Sequence, residues 1–300
     1  MEIALSIGNF DAVHLGHVAI VKAARKAVGD GRVVIWSFNP SPTVALHPEV
    51  EVRRLTTFPI RRELLIKAGA DEVVELSPTR ELLSQSPEVF VEHFVESLSP
   101  QFVVEGEGFH FGKNRSGTIA QLKRLGTLFD FSIIEVPPVE LTLRDHSVHR
   151  ASSSLVRSLI ERGHIEDAAI ILDRAVSASG IVIAGNQQGR KMSFPTANLG
   201  MTETMLPADG IYAGRGLLED GSIFHAAISI GTKPTFGTNK RTCEAHLIGF
   251  DGETNRYGWQ LELFFDHWLR DQIRFDSVEE LRNAIQDDVD KTTRLLERNT

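Results

Sequence analysis

Two histidines three residues apart, His14 and His17, sit in the stretch Gly8-Asn9-Phe10-Asp11-Ala12-Val13-His14-Leu15-Gly16-His17. At that spacing two imidazoles share one face of a helical turn. The apolar residues 3–7 before them read as a buried strand, and residues 18–28 after them as a helix. A strand, a small loop and a new helix make a phosphate-binding geometry, because a helix N-terminus offers free N–H groups and a partial positive charge. Both imidazoles can hydrogen-bond phosphate oxygens. Gly16 is expected to keep the space between them clear for a ligand. Two other readings fit the pair: a metal site, for which no third ligand lies close in sequence, or surface histidines without a role.

Other stretches could carry chemistry. Residues 105–117 combine glycines with Phe109, Lys113 and Arg115, which suits a phosphate or a plain glycine-rich surface turn. Ser152 and Ser153 precede a periodic segment and read as helix caps. The same helix N-terminus, with Arg157 one turn in, could hold phosphates from the side opposite the histidines and neutralise charge during a displacement. Further on, Gly185, Gly189, Arg190 and Lys191 lead into Thr196 and Asn198. A hydroxyl and an amide carbonyl at alternate positions of an extended segment are hard ligands for a hydrated magnesium. A β-turn and an ordinary strand would read the same way. Glu244 and His246 alternate with Cys243, Ala245 and Leu247. A carboxylate aimed into a barrel mouth could take a proton from a hydroxyl, or Glu244 is an exposed strand residue. Cys243 has no histidine at recognisable spacing and reads as core.

The elements that must position these residues fall into two groups. In the first half, strands at 33–38, 72–76, 102–104 and 131–136 alternate with helices at 59–68, 87–98 and 119–128. Such alternation implies parallel βαβ units, with ligands outside the carboxyl ends of the strands. The stripe of the 87–98 helix is expected at Val89, Phe90, Phe94 and Val95. Pro40 and Pro42 are expected to force an extended loop that stops any helix. After Arg174, short strands at 180–184, 196–199, 210–218, 222–230, 242–249 and 259–268 read as a small antiparallel barrel. A last helix, 277–296, is capped by Ser277 with Glu280 and turns Val278, Leu281, Ile285 and Val289 toward the barrel. The expected division is 1–174 and 175–300.

The composition sets limits. A net charge of −8 argues against general nucleic-acid binding. A single cysteine excludes an internal disulfide and fits a reducing compartment. Met1 runs directly into the first strand, so no signal peptide is expected. No apolar run approaches the ~18 residues of a membrane helix. The expectation is a soluble cytoplasmic protein.

His14-Leu15-Gly16-His17 resembles the HxGH signature of nucleotidyltransferases. The motifs together resemble the prokaryotic bifunctional riboflavin kinase/FAD synthetase family over nearly the whole chain. They are Gly-Asn-Phe-Asp with His-x-Gly-His, Phe38 to Pro42, Phe109 to Gly112, Ser152, Ser153 and Arg157, Gly189 to Asn198, Gly210 to Ala213, Ile230 to Phe236, and Glu244 to Leu247. The resemblance implies a Rossmann-like nucleotidyltransferase domain followed by a riboflavin kinase barrel. It implies that riboflavin is phosphorylated to FMN with ATP and magnesium, and that FMN is adenylylated to FAD with release of pyrophosphate. Glu244 then resembles the base, and His14, His17 and Arg157 the charge stabilisers of adenylyl transfer. Gly8, Phe10, Asp11, Gly16, Ser152 and Ser153 would join them around ATP. Gly185, Gly189, Arg190, Lys191, Thr196 and Asn198 would bind the kinase ATP, with Thr196 and Asn198 on magnesium. Pro40, Pro42, Phe109 and Arg270 would contact flavin. The partners implied are these small molecules alone, on a monomer or weak homo-oligomer.

The chain departs from the family pattern at Gly108, His110, Ser193, Asp173-Arg174-Ala175 and Gln272. Two alternatives follow: a riboflavin kinase with an impaired adenylyl step, motivated by Gly108, and a flavin- or nucleotide-binding module without turnover.

Overall fold

A computed structural model describes residues 1–185, 189, 192–200, 202–233, 238–251 and 257–297. The chain divides into two compact units, Met1–Ser153 and Ser154–Thr300.

The first unit is a five-stranded parallel sheet in the order β3-β2-β1-β4-β7. Its strands are β1 (Ile3–Gly8), β2 (Arg32–Phe38), β3 (Glu72–Leu76), β4 (Phe102–Gly106) and β7 (Ser132–Val136). Val33, Val34, Ile35 and Trp36 are all buried, as a central parallel strand covered on both faces requires. The helices between strands are α1 (Leu15–Val28), α2 (Pro42–Leu46), α3 (Phe58–Ala68), α4 (Arg80–Leu83), α5 (Pro87–Leu98) and α6 (Ile119–Phe129). Two small hairpins, β5 (His110–Phe111) with β6 (Gly117–Thr118) and β8 (Glu140–Thr142) with β9 (Val148–Arg150), complete the unit.

Three local details differ from expectation. Pro42 does not stop a helix: it opens α2, and Ser41 caps it by accepting from Thr43 N–H. Proline suits the first helical position, where its missing N–H has no partner to lose. On α5 the buried face is Phe90, Val91 and Phe94, while Val89 is 44% exposed. And α1 starts at Leu15 rather than Val18, which makes His14 its N-cap.

The second unit opens with α7 (Ser153–Glu161) and α8 (Ile165–Leu172). A closed six-stranded barrel follows, in the order β10-β11-β14-β13-β12-β15. Its strands are β10 (Val176–Ile183), β11 (Ala197–Leu199), β12 (Gly210–Leu218), β13 (Ile223–Lys233), β14 (Thr238–Leu247) and β15 (Gln260–Arg270). Tyr212, Ile228, Ile230, Cys243, Ala245, Leu261, Leu263 and Phe265 are buried in its core. The final helix, α9 (Val278–Glu297), packs on β12 and β13. Ser277 caps it by accepting from Glu280 N–H. Leu281, Ile285 and Val289 pack inward, whereas Val278 is 60% exposed in the first turn. The expected division lay at 174/175. The contact boundary falls at Ser153/Ser154 because α8 lies against β10 and β15 and is anchored there: the Trp268 N–H donates to Glu166.

The β12–β15 register shifts between Ala213 and Gly214, and a Cβ on Gly214 would sit 2.0 Å from the Phe264 carbonyl oxygen. Backbone cannot yield as a flexible side chain does. Gly214→Ala is therefore expected to destabilise the barrel by about 2 kcal/mol or more. Chemical unfolding followed by tryptophan fluorescence and circular dichroism checks this, and an unchanged midpoint contradicts it.

Candidate functional site

β1 delivers the chain to Gly8, at the carboxyl end of the sheet. The loop that follows holds three non-glycine residues in the left-handed region: Phe10 at φ 49°, Ala12 at 78° and Val13 at 45°. Such backbone is costly, above all for a β-branched valine, and persists only where its surroundings hold it. Asp11 supplies the hold. Its buried carboxylate accepts from Ala12 N–H (3.1 Å), Leu55 N–H (3.2 Å), Thr56 N–H (3.0 Å) and the Thr56 hydroxyl (3.0 Å). Arg61, also buried, lies 3.8 Å from the same carboxylate and donates to Ser37 Oγ and the Phe38 carbonyl. Ser37 Oγ in turn donates to the Asn9 carbonyl, and Ser153 Oγ to the Asp11 carbonyl. The ends of β1 and β2 are thus tied to one loop.

His14 leaves that loop as N-cap of α1, its Nδ1 accepting from Gly16 N–H at 3.1 Å. His17 stacks on it with ring centroids 3.7 Å apart, and Phe10 backs His17 at 5.1 Å. The two histidines are brought together on the first turn, as expected. The role of Gly16 is different. A Cβ there would meet the His14 ring at 3.0 Å, so the room Gly16 leaves is taken by His14 itself. Gly8 is likewise small because the Phe10 ring lies over it.

Phe109 stacks on the buried Phe111 at 5.6 Å, while Lys113 and Arg115 are exposed. A Cβ on Gly108 would meet nothing within 4 Å. Pro40 and Pro42 are half-buried at the end of β2 and the start of α2, and Ser152 is half-buried just ahead of Ser153. Arg157 lies one turn into α7, half-buried, and is grouped with the second unit.

In the second unit Glu244, Ser229 and Asn198 form one row across three strands: β11 pairs Asn198 with Glu244, and β13 pairs Ser229 with Glu244. Cys243, Ala245 and Leu247 face the barrel interior. Glu244 and His246 therefore lie on the opposite face of β14 and are half-buried. They line a cleft whose other wall is α9, through Leu281, Ile285 and Asp288. Thr196, Gly189 and Arg270 line the same cleft. His246 Nδ1 lies 2.8 Å from the Pro195 carbonyl oxygen, and its ring meets Phe194 edge-on, which fixes the approach to Thr196. Arg270 is held bidentately by Asp288, at 3.0 and 2.7 Å, and Gln272 donates to Ser229 Oγ. Arg190 and Lys191 lie outside the described residues, as does part of the 230–236 motif.

Thr196 and Asn198 offer neutral oxygen donors beside two glycines. A Cβ on Gly185 would fall 2.3 to 2.5 Å from the Asn198 amide, and one on Gly189 would lie 3.4 Å from Thr196 Oγ1. The space beside these glycines is filled by the Asn198 amide and the Phe194 carbonyl, so what suits a hard cation is the donor chemistry alone, a hydroxyl and an amide oxygen. Among the described residues no cluster of three or more His, Cys, Asp or Glu could hold a metal by itself. Burial pushes the Cys243 thiol up to about 12, so it is core and not a nucleophile. Among the described residues no helix is long and apolar enough to cross a membrane.

Three structural residues escaped sequence reasoning. Arg61 is indistinguishable from its neighbour Arg62 until the helix is oriented. Thr56 sits in an unpatterned stretch. Asp288 is one of several acids on α9, though its place on the apolar stripe was a signal.

A sequence model of the FAD synthetase family matches residues 1–150, and one of riboflavin kinase matches residues 172–296. The bifunctional riboflavin kinase/FMN adenylyltransferase of Haemophilus influenzae is 31% identical, covering 96% of this chain and 92% of its own length. That of Buchnera aphidicola from Schizaphis graminum is 30% identical over 96% of this chain and 92% of its own. A solved structure from Streptococcus pneumoniae, described as a macrolide-efflux protein, superposes with a TM-score of 0.85 at 27% identity. It covers 97% of this chain and 94% of its own.

Asp11→Ala strands the donors of Leu55 and Thr56 and is expected to lower the stability of the first unit by about 2–4 kcal/mol. Urea unfolding monitored at Trp36 reads the loss, and a change below about 0.5 kcal/mol contradicts it. Iodoacetamide at about pH 8 should leave Cys243 unmodified in the native chain and label it fully in denaturant. Rapid native labelling would contradict the buried placement.

Proposed function

We propose a division of labour within this chain, which belongs to the bifunctional riboflavin kinase/FMN adenylyltransferase family. The chain phosphorylates riboflavin to FMN with ATP and adenylylates FMN to FAD with release of pyrophosphate. In our reading, adenylyl transfer occurs at the His14/His17 loop and phosphoryl transfer at the Glu244 cleft. The observation that carries it is that these two sets of residues belong to different compact units. We keep the functional division at 1–174 and 175–300, although α7 and α8 fall within the second compact unit.

In adenylyl transfer, a phosphate oxygen of FMN displaces pyrophosphate from the α-phosphorus of ATP. Charge builds on the phosphoryl oxygens and the leaving group. His14 and His17, at the partially positive end of α1, oppose that charge. The family resemblance also assigns Arg157 to charge stabilisation in this step. Gly8, Phe10, Gly16, Ser152 and Ser153 shape the surrounding backbone, and Asp11 acts by holding the loop. Pro40, Pro42 and Phe109 offer apolar surface for the flavin rings.

In the kinase half, Glu244 takes the proton from the ribityl hydroxyl as the hydroxyl oxygen attacks the γ-phosphorus of ATP and the bond to the β-phosphate oxygen breaks, releasing ADP. Thr196 and Asn198 would hold magnesium, which would neutralise phosphate charge. Gly185, Gly189, Arg190 and Lys191 complete the ATP contacts. Arg270, locked by Asp288, presents an oriented guanidinium to the flavin side of the cleft. We further place the protein in the cytoplasm as a monomer or weak homo-oligomer without nucleic-acid partners. The net charge of −8 and the single cysteine support that reading.

Glu244→Ala should cut FMN formation by about 100-fold or more while FMN is still converted to FAD. His17→Ala should do the reverse. Chromatography of riboflavin and FMN reactions reads both, and loss of both activities in either folded variant defeats the assignment. Chelation of magnesium should stop riboflavin phosphorylation, with recovery on adding the ion back; full activity without it would count against Thr196 and Asn198 as its ligands.

A further inference from the structure

Glu105, near the end of β4, is 3% exposed and has no part in the chemistry above. Its Oε1 accepts from Ile7 N–H at 2.7 Å and lies 3.4 Å from Ser6 Oγ, both fully within β1. The strand pairing explains why a carboxyl is there. β1 pairs with β2 along its whole length, from Ile3 to Gly8. With β4 it pairs only at Ala4–Phe102 and Leu5–Val103. β4 stays with β7 as far as Gly106. The two central strands therefore part after Leu5, and the Glu105 side chain takes the N–H that a longer ladder would have used. This is also the point where the strand order reverses, since β2 and β3 lie on one side of β1 and β4 and β7 on the other. Ligand crevices in such sheets open there.

We propose that Glu105 is a positioning residue for adenylyl transfer: through Ile7 N–H and Ser6 it fixes where β1 releases the chain into the Gly8–His17 loop. The inference rests on that loop being the adenylyl-transfer site. Ile7 is one residue from Gly8, so a shift of the strand end moves the loop bodily. Misplacement by about 1 Å can cost about 100-fold in rate without touching a reacting atom. Burial also pushes the Glu105 carboxyl well above the usual carboxylate range, so a neutral amide is its conservative replacement.

The test compares Glu105→Leu, Glu105→Asp and Glu105→Gln in the full chain, with rates corrected for folded fraction by circular dichroism. Leucine has no acceptor and aspartate falls a methylene short. Each is expected to lower kcat for FMN adenylylation between about 10- and 100-fold, with KM for FMN within about threefold. Glutamine keeps the acceptor oxygen and should stay within about threefold of the parent. Riboflavin phosphorylation should be unchanged in all three. Parent-like adenylylation by the leucine and aspartate variants would overturn the proposal. So would a glutamine variant as impaired as leucine, or a loss fully accounted for by unfolded protein. If leucine does not fold, aspartate decides. His17→Ala, run alongside, separates the two readings: if it still adenylylates FMN, the site assignment has failed; if it does not and the Glu105 variants are unaffected, only the positioning role has.

Discussion

One carboxylate decides the shape of the front loop. Three residues between Phe10 and Val13 hold left-handed backbone, at a cost of roughly 1–3 kcal/mol each. Asp11 collects three N–H groups and a hydroxyl, and hydrogen bonds to a charged acceptor contribute about 1.5–3 kcal/mol apiece. The two sums are of the same size, so the loop keeps its form because Asp11 is there. Arg61 makes the arrangement rigid by linking the carboxylate to the end of β2. The stacked imidazoles of His14 and His17 inherit their place from this network rather than from helix propensity.

The same division between holding and acting recurs in the barrel. Glu244 and His246 are strand residues whose direction is set by what their neighbours bury. Cys243, Ala245 and Leu247 fill the interior, which leaves the polar pair on the face covered by α9. The Arg270–Asp288 pair fastens that helix to β15. A cleft built between a barrel wall and a helix can be dry on one side and open on the other, which suits a flat aromatic substrate with a polar tail.

Much of this was legible from residue order. The alternation of apolar strands with helices gave the parallel sheet, and the run of short strands after Arg174 gave the barrel, because periodicity follows directly from burial. Period-2 alternation also paired Glu244 with His246. It could not say which face was inside, since a barrel strand reads the same in either sense until the neighbouring strands are known. Pro42 reads as a breaker because proline ends a helix in its interior, yet it begins one at the first position, where it stands in α2. Val89 and Val278 read as inward on hydrophobicity alone, yet both lie in first turns facing water. Arg61, Thr56 and Glu105 were invisible for another reason. Each acts on a residue more than 20 positions away, and no local pattern encodes such contacts.

The account stands or falls on there being two nucleotide grips, one of them shaped by Asp11. Calorimetric titration of the full chain with a non-hydrolysable ATP analogue and magnesium tests this most directly. The prediction is two molecules bound per chain for the parent and one for folded Asp11→Ala. A parent that binds only one, or an Asp11→Ala chain that still binds two with unaltered affinity, would contradict it.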